Sequence, residues 1–343
     1  MNVEMANTWY QQGQEQLRFG HIQEAIDCFR NATTNDHDNA EYTLALANAL
    51  ASADHVEEAR QALLRLRTST PESGEINLNL ARLDAKEGRM TEAVLYYHNA
   101  LYGIWPRDQL AGQRTRVRVE LVQYLLAAQD TSQALSELLI LSSDIPDNVP
   151  SHNNVGQMFL EAGDSQHAAE QFVQALRINS KDPAALSGAG RATFNLGDYI
   201  NADRYLQSAE TNGSKSKDTL TLLEQTRLIL SHDPLAAQLG TEERIRRISE
   251  NLNFASRELQ SCIDKNQGDE ALSAMLTPLE AEVEEGMQGP FRPKELRADP
   301  EGFRIGMNLI QRIETATGQI CGASSNMDKA LLFISRKHGT IEQ

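Results

Sequence analysis

Apolar and polar positions along this chain recur with a helical spacing inside a longer period. An alanine recurs at Ala25, Ala59, Ala93, Ala134, Ala168 and Ala202, in steps of 34, 34, 41, 34 and 34 residues. Four residues after each alanine stands a large apolar side chain: Phe29, Leu63, Tyr97, Leu138, Phe172 and Leu206. Three further on come Ala32, Leu66, Ala100, Leu141, Ala175 and Ala209. Offsets of four and three put these residues on one face of a helix. Twelve residues before each alanine lies Gly13, Ala47, Ala81, Val122, Gly156 or Gly190, a small or compact residue on a preceding helix. Between the two helices, five before the alanine, stands Gly20, Asp54, Gly88, Gln129, Gly163 or Gly197. The unit is a helix, a tight turn and a second helix. One such hairpin cannot bury its apolar face and needs a copy on either side.

The period and the register of these positions resemble the tetratricopeptide repeat family, whose repeat is 34 residues long. The resemblance covers residues 6–216, and Trp9 takes the aromatic position near the start of the first repeat. It implies six repeats, over about 6–39, 40–73, 74–107, 108–148, 149–182 and 183–216, with a right-handed all-α solenoid as the fold. Residues 217–343 then form a partial seventh repeat and an irregular helical cap over the last repeat's apolar face, as a solenoid requires.

Helices are expected there near 218–230, 241–263, 269–285 (bent or interrupted at Pro278), 300–317 and 327–337. The glycine- and proline-rich stretch 286–298 reads as a loop. The step of 41 residues between Ala93 and Ala134 leaves seven extra residues. They are read as a lengthened or displaced first helix of repeat four. The aromatic segment beside it, around Tyr102 and Trp105, reads as a hydrophobic wedge in an irregular joint, with an exposed anchor for a partner as the alternative.

Composition narrows the function. The 343 residues carry a net charge of −16, with Lys+Arg 32 against Asp+Glu 48. That balance is wrong for neutralising a nucleic-acid backbone or an anionic membrane surface. No apolar run of eighteen and no leader pattern is seen, so no direct membrane insertion is expected. The three cysteines, Cys28, Cys262 and Cys321, are odd in number and far apart in sequence. They fit a reducing compartment, and a cytoplasmic location is expected. A missing anchor or a partner could instead tether the chain at a membrane or in the periplasm.

Catalytic signatures are lacking: there is no HExxH, no phosphate loop and no GxSxG. The eight histidines form no i, i+4 pair with one another or with cysteine. No enzyme activity, cofactor or metal is expected.

What remains is a surface. The resemblance implies that the first helices line a concave groove binding a peptide or helix of another protein. Its lining would include Tyr10 and Gln14, Leu44 and Asn48, Leu78 and Arg82, then Arg116, Val119 and Gln123, Asn153 and Gln157, and Arg191 and Phe194. Glu41 and Glu75 fall on the same line. Amides and leucines suit an extended backbone and its side chains, and the three arginines suggest acidic segments in the partner. Tyr10 and Glu75 stand where the family's clamp for a terminal carboxylate wants lysines, which argues against that ligand. The reading is therefore a non-catalytic interaction scaffold. The alternative is a ligand-binding or regulatory module in residues 241–338, presented by the repeats.

Overall fold

A computed structural model describes residues 2–106, 112–266, 268–322 and 325–338. Among them every regular element is helical, and the sole bridge of strand type pairs Ser73 with Ile104. The chain divides into two compact units, one of residues 1–146 with 161–163, the other of residues 147–160 with 164–343.

The first unit contains four hairpins. They are α1 (Val3–Arg18) with α2 (Ile22–Asn35), α3 (Ala40–Ser52) with α4 (Val56–Ser69), α5 (Gly74–Lys86) with α6 (Met90–Leu101), and α7 (Gln113–Ala127) with α8 (Thr131–Asp144). The second begins with two more, α9 (Val149–Glu161) with α10 (Ser165–Ile178) and α11 (Pro183–Asn195) with α12 (Tyr199–Thr211). α13 (Lys217–His232) follows, then α14 (Thr241–Lys265), α15 (Glu270–Gln288), α16 (Pro293–Ala298), α17 (Glu301–Cys321) and α18 (Asn326–His338).

The repeat register has a direct physical reading. All six of the recurring alanines are fully buried. Where the first helix carries glycine, it touches the large residue of the second. A Cβ on Gly13 would sit 2.6 Å from the Phe29 ring, and one on Gly190 would sit 2.6 Å from Leu206. All six turn positions are left-handed, including Asp54 at φ 66° and Gln129 at φ 61°. Asp and Asn tolerate that region better than a longer side chain such as glutamine does. Side-chain oxygens cap the helices that follow: Asn39 accepts from the Glu41 amide at 3.0 Å, and Asp182 from that of Ala185 at 2.8 Å.

Buried polar locks add specificity between elements. Asp84, fully buried on α5, accepts from Arg60 of α4 and from Arg89, each at 2.8 Å. Arg118 on α7 donates to Glu137 and Asp144 on α8, at 3.0 and 3.1 Å.

In the second unit the irregular helices fold back onto the end of the hairpins. α17 packs on α14 and α15, and α18 packs on α17 and α13. Phe333 of α18 meets Phe194 of α11 edge-on at 5.1 Å. Asp233, at the end of α13 and 2% exposed, accepts from His338 at 2.9 Å and Lys337 at 3.3 Å.

Several sequence expectations change. Of the two readings of the seven extra residues, the displaced helix agrees with the structure and the long extension does not: α6 ends at Leu101 and α7 starts only at Gln113. Part of that connection, 107–111, lies outside the described residues. The stretch 286–298 is not all loop. α15 runs through Pro278 to Gln288, held by buried Leu276, Leu279 and Val283. α16 starts with Pro293 in its first turn and buries Leu296. On α13, Leu223 is buried while Leu220 is 40% exposed.

The cysteine reading also changes. Cys262 of α14 and Cys321 of α17 are joined as a disulfide, with Cα atoms 5.8 Å apart. Only Cys28 is a free thiol among the described residues.

Candidate functional site

In the first unit α3, α5 and the start of α7 border an open cleft of about 450 Å³. Its apolar floor comes from Ala51, Leu78, Leu83 and Trp105, and its polar rim from Asn48, Glu75, Asn79, Arg82 and Gln113. Trp105 is only 5% exposed, so the aromatic segment is a wedge and not an anchor at that residue. Tyr102 and Ile104 beside it are exposed. The indole nitrogen donates to the Ala100 carbonyl at 2.9 Å. The ring lies across Gly74, where a Cβ would come within 2.3 Å of it. Two backbone hydrogen bonds fasten the same corner, Gly74 N to Ile104 O at 2.9 Å and Ile104 N to Glu72 O at 2.7 Å. The cleft floor is thus fixed by close packing and by main-chain bonds.

The rim residues differ in what they have left to offer. Arg82 is committed: its guanidinium grips the Glu120 carboxylate at 2.8 and 2.6 Å, a fork-to-fork geometry. Gln113 accepts weakly from Arg116 at 3.3 Å. The side-chain amides of Asn48 and Asn79 have no internal hydrogen-bond partner among the described residues. Glu75 is half-buried and has no ion pair or hydrogen bond there either. Burial alone raises its carboxyl above the usual range.

The other expected lining residues are placed as follows. Tyr10 is buried; its hydroxyl donates to Glu41 at 2.7 Å and accepts from the Gln14 amide at 2.7 Å. Burial, then the Glu41 carboxylate, push the phenol up to about 12. Leu44 is partly buried against the first unit's core. On α7, Val119 is half-buried while Arg116 and Gln123 are exposed. In the second unit, Asn153 donates to the cap carboxylate Asp182 at 2.8 Å, Gln157 is exposed, and Arg191 lies 4.0 Å from Asp218. Phe194 is 5% exposed and packs between Tyr199 and Phe333. Four of the residues expected on that line, Asn48, Glu75, Leu78 and Arg82, therefore share one cleft. The sequence did not put Asn79, Gln113 or Trp105 there. Asn79 directly follows Leu78 on the same turn, the one available hint.

A second open cleft, of about 950 Å³, lies in the second unit between α15 and α17. Leu279, Phe291, Met307 and Leu309 form its floor, and a bidentate Arg312–Glu282 pair at 2.6 and 2.7 Å crosses its rim. Elsewhere in this unit, Glu314 of α17 is 2% exposed and has one carboxylate oxygen without a partner. Burial first, and the charge of nearby Asp328 second, push it up to about 8. Among the described residues no three His, Cys, Asp or Glu side chains are placed to hold a metal ion, and no helix is long and apolar enough to cross a membrane.

The hairpin geometry and its register define the class. A tetratricopeptide repeat family model matches residues 10–73 and 44–108. Residues 10–108 therefore match tetratricopeptide repeats, a fold that is in general a non-catalytic scaffold for protein–protein interaction. No curated protein sequence matches it. Among solved structures, the C-terminal part of a tetratricopeptide repeat protein from Cytophaga hutchinsonii is similar over 70% of this chain and 93% of its own, at 12% identity and TM-score 0.52. A tetratricopeptide repeat protein from Parabacteroides merdae is similar over 72% and 92%, at 13% identity and TM-score 0.44. PilW, a type IV pilus biogenesis factor, is similar over 64% and 98%, at 19% identity and TM-score 0.43.

Proposed function

We propose that this protein is a non-catalytic adaptor that holds an extended segment of another protein in the cleft bordered by α3, α5 and α7. One observation carries the reading: two unpartnered side-chain amides, Asn48 and Asn79, line a rigid, half-apolar floor. An amide both donates and accepts, so it can pair with the main chain of any sequence, while the floor takes an apolar side chain. No nucleic-acid or cofactor role is proposed, on the strength of the acid excess and the lack of catalytic motifs.

The double variant Asn48→Ala/Asn79→Ala tests this. Loss of two amide pairs is expected to weaken partner binding on the order of 10- to 100-fold. Gln61→Ala, on α4 and away from the cleft lining, should leave binding unchanged. Equal binding by parent and double variant would refute the reading.

Two further points belong to this reading. The repeat boundaries given above, and the role of residues 217–343 in capping the array, are part of it. So is location: the Cys262–Cys321 link favours an oxidising compartment over the cytoplasm. The cleft between α15 and α17 supports a second reading, a ligand site in residues 241–338. A small-molecule thermal-shift screen on the intact chain would detect it, and stabilisation lost on altering Arg312 would support it.

A further inference from the structure

The charges around the α3–α5–α7 cleft do not match an acidic partner. Arg82, the cation expected to recruit one, already has both arms of its guanidinium on Glu120. Arg116, one repeat further on, donates to Gln113. Lys86, at the end of α5, pairs with Asp54 across the turn of the preceding hairpin. On α3, the Glu41 carboxylate is taken by the Tyr10 hydroxyl. That leaves Glu75 as the one charged rim group of this cleft, among the described residues, with no counter-charge or hydrogen bond. A half-buried carboxylate left unpaired is costly, and a cation brought by a ligand would relieve that cost.

We propose that the segment bound in this cleft is basic, placing a lysine or arginine side chain against the Glu75 carboxylate while the Asn48 and Asn79 amides hold the adjoining main chain. The inference rests on the adaptor reading and gives its partner a chemical character. The site is also pre-organised. Glu75 directly follows Gly74, which is held under the Trp105 ring and bonded to Ile104, so the start of α5 is fixed before any ligand arrives. The raised Glu75 carboxyl is what an unpaired, partly desolvated acid should show.

The test uses the full chain and a panel of end-blocked twelve-residue peptides, uncharged except for one central Lys, Arg, Glu or norleucine. Binding is read by fluorescence anisotropy for the parent, Glu75→Gln, Glu75→Lys and Asn48→Ala/Asn79→Ala, each checked for an unchanged helical melt. The Lys and Arg peptides are expected to bind best and to weaken with added salt. Glu75→Gln is expected to cost on the order of 10- to 100-fold for these peptides alone. Glu75→Lys should reverse the preference toward the Glu peptide. If basic peptides bind equally well to Glu75→Gln, the inference is overturned. If neutral or acidic peptides bind best and the asparagine variant abolishes that binding, the inference falls and the adaptor reading stands. If no peptide binds in a way that depends on either asparagine, both fall.

Discussion

Cutting the link between Cys262 and Cys321 should cost the second unit a large part of its stability. The two residues are 59 apart in sequence, and the closed loop includes α15 and α16. On the chain-entropy estimate, a loop of that length removes about 14 cal/mol/K from the unfolded ensemble, or about 4 kcal/mol at 25 °C. For a unit of roughly 190 residues, 1 kcal/mol moves the melting temperature by about 2–4 °C, so the expected drop is about 8–16 °C. The variant should be Cys262→Ala/Cys321→Ala, because Cys262 is nearly fully buried and a small apolar replacement disturbs its surroundings least. Far-ultraviolet circular dichroism would follow the melt of the parent, the parent with reductant, and the double variant. The reduced parent and the variant should melt together, below the oxidised parent. A thiol count on the denatured, unreduced chain should find Cys28 alone. Three free thiols in material matured under oxidising conditions, or a melt insensitive to reductant, would refute the reasoning.

Three other outcomes follow from particular residues. Gln129 sits in a left-handed turn where four of its counterparts are glycine, so Gln129→Gly should stabilise by about 1 kcal/mol in urea unfolding. Glu314→Gln should change the pH dependence of stability. From its ordinary 4.5 to about 8, the folded chain keeps a proton that the unfolded chain releases, so parent stability falls as pH rises, by up to about 1.4 kcal/mol per pH unit. The melting temperatures of parent and variant should therefore be close at pH 5 and diverge toward pH 8 with the variant higher; parallel curves would contradict this. Gly74→Ala forces a methyl group into the Trp105 ring and should cost about 1–3 kcal/mol, with a shift in tryptophan emission as the indole moves.

Much of the fold was legible because the repeat writes the same physics several times. The buried alanines, the large residue four later and the left-handed turn residues each recur, so a substitution such as Asp54 for glycine reads as a tolerated variant. The second unit's tail has no such redundancy. Its disulfide depends on α17 packing against α14, a long-range event that no local spacing encodes. α15 keeps its helix through Pro278 because buried leucines on both sides outweigh the lost backbone bond. α16 had a readable signal, Pro293 followed by Leu296, that the surrounding glycines masked. At the candidate site the sequence could name positions on a face but not their partners. Arg82 looked like a free cation, and only the position of Glu120 shows that it is not. Glu75 looked like a disqualifying residue for an acidic ligand, and its isolation turns it into the feature that selects a basic one.

The most direct test of the account is a photocrosslinking amino acid placed at Gln113 on the cleft rim, with a second chain carrying it at Gln61 as the control, each expressed in the native cell and mapped by peptide sequencing. The account predicts a discrete adduct from position 113, joined to one short segment of a partner protein and lost when Asn48→Ala/Asn79→Ala is added. Equal adducts from positions 61 and 113, or none from position 113, would contradict it.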